Sequence, residues 1–94
     1  MKVVWSRRAL ANLIALRDYI AQDDPTSAAA VARRILGAVE LLTKQPQIGR
    51  PGRIAGTREL VVPDTPFIVP YRIRGDRLEL IAVFHGRQNW PTRF

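Results

Sequence analysis

The tetrapeptide Gln22-Asp23-Asp24-Pro25 lies between two long stretches of helical periodicity, and it restricts the fold more than any other feature of the chain. Upstream, Ala9, Leu13, Leu16 and Ile20 fall at i, i+4, i+7 and i+11, and Leu10 and Ile14 widen the stripe. Ser6 stands where a hydroxyl can accept from the free amides of a first turn. The spacing therefore predicts a helix over 7–21. Downstream, Asp24 can cap a second helix, with Pro25 at its first position, where a missing N–H costs nothing. Ala28, Val31, Ile35, Val39 and Leu42 line its apolar side as far as about Lys44. Arg33, Gly37, Glu40 and Lys44 form the polar stripe opposite, and Ala28-Ala29-Ala30 allows a neighbouring helix to come close. A four-residue connector turns the two helices into an antiparallel hairpin.

The flanking segments read as strands. Lys2–Trp5 is short, β-branched and aromatic. Gln45-Pro46 ends the second helix, and residues 46–56 form a loop crowded with proline and glycine. Strands are expected at 57–62, 67–73 and 78–84, separated by Pro63-Asp64-Thr65-Pro66 and by Gly75-Asp76. The last is apolar on both faces except for Glu79, which suggests a central strand covered on both sides. Pro70 cannot donate to a ladder, so a bulge or an unpaired side is expected there. The order is β-αα-βββ in one domain spanning 1–94: an α+β fold with the helical hairpin packed on a mainly antiparallel, twisted sheet.

Charge is the first functional clue. Thirteen arginines and two lysines oppose eight acidic residues, giving +7, and the excess is shared by both halves of the chain. A folded domain this basic calls for an anionic partner, such as a nucleic acid or an acidic protein. Arginine, rather than lysine, suits bidentate contact with phosphate or carboxylate. The chain has no cysteine, which excludes disulfides, thiol nucleophiles and thiolate metal sites. One histidine and scattered carboxylates give no metal-ligand spacing, and no glycine-rich nucleotide loop or nucleophile elbow is present. Neither a metal nor a cofactor is expected. No signal peptide or membrane span is predicted, and the expected compartment is the cytoplasm.

What remains is a basic set on the strands and their exits: Arg58, Arg72, His85 and Arg87, with Arg50 and Arg53 on the loop. In a three-stranded meander these side chains can converge at one end of the sheet. Such a set has the means to cleave RNA, because histidine can move a proton near neutral pH and arginine can stabilise a phosphorane. Trp90 or Phe94 can stack a splayed base. Bland roles compete at every position. A lone histidine at a strand end is more often structural. Arg58 can join a surface network with Glu59, and Arg72 and Arg87 can pair with Glu79 or Asp64. Trp5 and Trp90 can be packing residues.

In several pieces of fixed order the chain resembles the RelE/ParE superfamily of toxins over nearly its whole length. These are Asp18-Tyr19-Ile20, Pro25, Pro46-Gln47-Ile48-Gly49-Arg50-Pro51-Gly52, Gly56-Thr57-Arg58-Glu59-Leu60, Tyr71-Arg72-Ile73, and Val83-Phe84-His85-Gly86-Arg87 with Trp90-Pro91. The resemblance implies the same β-αα-βββ fold and a cognate acidic antitoxin that wraps over the helical hairpin and a sheet edge. Leu36 and Leu41 are candidate anchors for it.

The superfamily splits by target, into RelE-like members that cut messenger RNA on the ribosome and ParE-like members that poison DNA gyrase. Arg58 and Arg87 match the RelE pattern in position, and His85 resembles a histidine that some ribosome-dependent members use. The lysine cluster of that pattern is missing, with only Arg50 and Arg53 nearby. Trp90 and Phe94 supply no tyrosine hydroxyl. The lengths of the two helices resemble ParE. The resemblance therefore leans to gyrase, with Arg50, Arg53, Arg72, Trp90 and Phe94 as target-binding residues. The alternative is an mRNA endonuclease with Arg58, His85 and Arg87 as its catalytic set. A non-toxic nucleic-acid-binding module is a third reading, although no helix-turn-helix spacing, zinc pattern or aromatic pair for RNA recognition supports it.

Overall fold

Ser6 separates the first strand from the first helix and ties both to the sheet. In the computed structural model, which describes residues 1–87, its Oγ accepts from the Ala9 amide at 3.0 Å and donates to the Ile81 carbonyl at 2.8 Å. β1 (Lys2–Trp5) thus passes directly into α1 (Arg7–Ala21). At the next helix the Asp24 carboxylate accepts from the Ser27 amide at 3.1 Å, and Pro25 opens α2 (Pro25–Lys44). Both helices have the bounds expected from the sequence, because each begins at a cap that local chemistry dictates.

Five short strands follow: β2 (Arg50–Pro51), β3 (Arg58–Val61), β4 (Phe67–Arg74), β5 (Arg77–Leu80) and β6 (Phe84–His85). The sheet runs β1-β5-β4-β3-β2, with β6 also against β4. β1 pairs with β5 in parallel and every other ladder is antiparallel. Gly75, at φ 59°, takes the left-handed conformation that the two-residue turn into β5 requires.

The sheet differs from the sequence reading in two places. Part of the 46–56 loop is a strand: Arg50 and Pro51 pair with Glu59 and Arg58 at the sheet's edge, a position where proline's missing donor does no harm. The expected strand over 78–84 is broken in two, and Pro70 explains the break. Its carbonyl accepts from the Ile81 amide at 2.9 Å. The N and O of a residue point to the same side of a strand, so the missing N–H faces the same neighbour. Leu80 pairs with Tyr71 and Phe84 with Ile68, so residues 80 to 84 span the length of residues 71 to 68. One residue is extra, which is a bulge.

Alternation along β4 divides the sheet. Val69, Tyr71 and Ile73 face the helices, whereas Pro70, Arg72 and Arg74 face the other way. The core lies on the helix side and joins Ala9, Ile35, Val39 and Leu42 to Leu60, Val62, Val69, Tyr71, Leu78 and Leu80. Burying one such Leu or Ile side chain is worth roughly 1.5–3 kcal/mol, so this layer dominates stability. β5 lies between β1 and β4 as expected, but its outer side is covered only beyond the bulge, where Ile81, Ala82 and Phe84 form a separate buried cluster.

Candidate functional site

The turn after α2 is assembled around one phenol. The Tyr71 hydroxyl accepts from the Gly49 amide at 2.9 Å and donates to the Pro46 carbonyl at 2.8 Å, and the whole residue is buried. Burial pushes its pKa up. A Cβ at Gly49 would meet the Tyr71 ring and hydroxyl at 2.6 Å, so only glycine fits this approach. Arg58 pairs across the ladder with Tyr71 and therefore lies on the same face. Its Nη1 donates to the Gly49 carbonyl at 2.8 Å and the Gln47 carbonyl at 3.2 Å. Arg58 thus clamps the same turn from the other side.

Glu59 points to the outer face and is buried there, with only 3% of its side chain exposed. Oε1 accepts from Arg50 Nη2 at 3.0 Å and Nε at 3.2 Å. Oε2 accepts from the Arg53 amide at 2.8 Å and its Nε at 3.1 Å. Burial on its own would raise the pKa. The Arg53 amide and guanidinium, with Arg50, outweigh it and hold the carboxyl below its ordinary value. The sequence-level pairing of Glu59 with Arg58 is replaced by pairing with Arg50 and Arg53, because neighbours in a strand point to opposite faces. On the same outer face Arg72 Nε bonds Glu79 at 2.8 Å, with Arg74 at 3.6 Å. These cations, led by the Arg72 hydrogen bond, lower the Glu79 pKa.

His85 is elsewhere. It is level with Phe67, whose ring it meets edge-on at 5.7 Å. Its Nδ1 accepts from the Arg87 amide at 3.1 Å, so the neutral ring carries its proton on Nε2 and presents a donor there. Arg58 is level with Tyr71, four residues further along β4 and on its opposite flank. At about 3.3 Å per residue and 4.8 Å per strand, their Cα atoms are roughly 16 Å apart. The meander does not bring Arg58, Arg72 and His85 to one end of the sheet. Trp90 and Phe94 lie outside the described residues, among which no cluster of metal-ligating side chains occurs.

The hairpin anchors also separate. Leu36 and Leu41 are both exposed, at 48% and 40%. Five residues of helix turn them about 140° apart. Leu41 alone enters a groove of about 470 Å³ between α2 and β3, with Ala38, Ile48, Leu60, Val61 and Pro63, and with Arg34 and Arg50 at its margins. A second groove, of about 670 Å³, runs between α1 and the start of β4, with Leu16, Tyr19, Phe67 and His85 on its walls. Sequence reasoning missed the hydrogen bonds of Tyr71 and the burial of Glu59. The only hints were a tyrosine within a strand and a glutamate in a strand close to two loop arginines, Arg50 and Arg53.

Comparison with known proteins joins this architecture to a family. Residues 3–90 match the model of the ParE toxin of the type II toxin–antitoxin system parDE. The chain belongs to the ParE toxin family. It is 49% identical over 90 residues to Y4kP of Sinorhizobium fredii, a protein carrying the name of a toxin, covering 96% of this chain and 93% of the relative. It is 38% identical over 85 residues to toxin RelE2 of Caulobacter vibrioides, covering 90% and 94%. A solved structure of the chromosomal ParDE toxin–antitoxin system from P. aeruginosa superimposes with a TM-score of 0.81 at 28% identity, covering 90% of this chain and 95% of that one. The protein is thus the toxin of a ParDE-type toxin–antitoxin system, and such a toxin has an antitoxin as its partner. Among the described residues no helix is long and apolar enough to cross a membrane.

Proposed function

We propose that this ParE-family toxin arrests growth by acting on DNA gyrase, as a binding protein without catalysis of its own. The observation that carries this reading is the separation of the ribonuclease candidates. Arg58 donates through Nη1 to two backbone carbonyls of the turn after α2, and His85 sits roughly 16 Å away at a different level of the sheet. A general acid or base must come within about 3 Å of the proton it moves. Arg50, Arg53 and Arg72, together on the outer face, are the described target-binding residues under this reading. Cytoplasmic gyrase is the expected target. In a supercoiling assay with purified gyrase, the toxin and its His85→Ala variant are expected to inhibit alike, while translation in an extract continues. Arrested translation with normal supercoiling would overturn the reading.

Neutralisation fits the other side of the molecule. An acidic antitoxin segment laid in the groove between α2 and β3 buries an apolar residue against Leu41 and Ile48, with Arg34 meeting its carboxylates. Leu36 would contact a part of the same segment that crosses the hairpin. Charge complementarity of this kind speeds capture. Ribosome-dependent mRNA cleavage is the second reading, and the name RelE2 borne by the Caulobacter relative supports it. It requires Arg58→Ala and Arg87→Ala each to lose orders of magnitude in cleavage.

A further inference from the structure

Cations gather on the outer face of the sheet in a pattern that the turn clamp does not use and that meets the antitoxin groove only at Arg50. Lys2, Arg77 and Arg74 are register partners across β1, β5 and β4, and so form one row. Two residues further along, Arg72 faces Glu79. Two further still, Glu59 faces Arg50, with Arg53 reaching it from the loop. Six cations thus stand against two carboxylates on this face. The rows are about 6.6 Å apart and the strands about 4.8 Å, so the band runs diagonally for roughly 23 Å from Lys2 to Arg50.

The chemistry of this band narrows its partner. Lys2, Arg74 and Arg77 are exposed, and no exposed aromatic or leucine accompanies them among the described residues of this face. A protein interface draws most of its energy from buried apolar and aromatic anchors, and on this face Val61 is the one exposed large hydrophobic side chain among the described residues, so a protein contact here would be mainly polar. Recognition of single-stranded RNA needs aromatic platforms for its bases, and the described residues of this face expose none. A field of guanidinium groups without aromatic anchors suits a regular array of phosphates, which contribute position and affinity rather than sequence. Duplex DNA carries a charge about every 1.7 Å of its axis, so a band of this length runs beside more phosphates than its net charge can neutralise.

We propose that the outer sheet face binds the phosphate backbone of duplex DNA, so that the toxin engages gyrase together with the DNA that gyrase holds. This rests on the gyrase reading for its biological setting, but the contact itself can be measured without gyrase. The test is fluorescence anisotropy of the full chain with a short labelled duplex across a salt series. Four net positive charges predict a slope of log affinity against log salt near −3.6. Replacing two of the cations with Arg74→Ala/Arg77→Ala should make the slope shallower by about 1.8. Arg33→Ala, on the far side of α2, should change neither slope nor affinity, and circular dichroism checks that each variant is folded.

An unchanged slope in the double variant would overturn the proposal. So would a polyglutamate competitor as effective as DNA, which would mark the face as a site for acidic protein, or tighter binding to single-stranded RNA than to the duplex. The supercoiling assay separates the two readings. Normal gyrase inhibition by a double variant that has lost DNA affinity would remove the DNA contact and leave the gyrase reading intact. DNA binding that responds to the variants as expected, with no inhibition of gyrase, would do the reverse.

Discussion

Replacing Glu59 with glutamine keeps the shape of the side chain and removes its charge, and the structure dictates how this should fail. Arg50 donates to one carboxylate oxygen, and Arg53 donates to the other through both its amide and its Nε. Whichever way the glutamine amide turns, its NH₂ faces donors. Removing one partner of a fully buried ion pair costs about 3–5 kcal/mol. Here Arg50 and Arg53 are 53% and 43% exposed, so water can recover part of their solvation, and about 2 kcal/mol is the expected loss. For a domain this size that is a fall in Tm of roughly 8–16 °C at neutral pH. The pH dependence gives a second check. The folded pKa of Glu59 is depressed, so its stabilisation is complete above the ordinary carboxyl value near 4.3 and is lost as pH falls through the folded value. The gap between the wild type and Glu59→Gln should therefore close in acid, whereas Asp24 and Glu79 affect both proteins equally. Thermal melts of the two proteins from neutral to about pH 3 measure this. A gap below about 0.5 kcal/mol at neutral pH, or one that stays constant into acid, would refute the reasoning.

Three further outcomes follow from the same geometry. Tyr71→Phe strands the buried Gly49 amide and should lose about 1–3 kcal/mol, read as a lower urea midpoint at unchanged slope. Gly49→Ala drives a methyl into the Tyr71 ring, which the buried core cannot move aside, so chemical denaturation should register a loss of at least 2 kcal/mol or so. Leu41→Asp should leave growth arrest by the toxin alone intact while weakening rescue by co-expressed antitoxin. Leu36→Asp should do less, since Leu36 stands outside the groove.

Local chemistry in the sequence was enough to determine the helices. Ser6, Asp24 and Pro25 set their starts, the apolar stripes set their inner faces, and three connecting residues made them a hairpin, all through contacts a few residues long. Pro70 and Gly75 announced a bulge and a turn for similarly local reasons, a missing donor and a positive φ. The basic character of the chain and the need for an anionic partner were also legible, because charge is a sum over residues whatever the fold. Tertiary structure alone decided which arginines act together. Arg58 and Glu59 are neighbours in the chain, yet strand alternation sends one to the turn beneath α2 and the other to the outer face with Arg50 and Arg53. The distance between Arg58 and His85 likewise depended on ladder register, which long-range pairing sets and no local signal encodes. Lys2 joined Arg74 and Arg77 only because the chain, after two helices and three strands, returned β5 alongside β1.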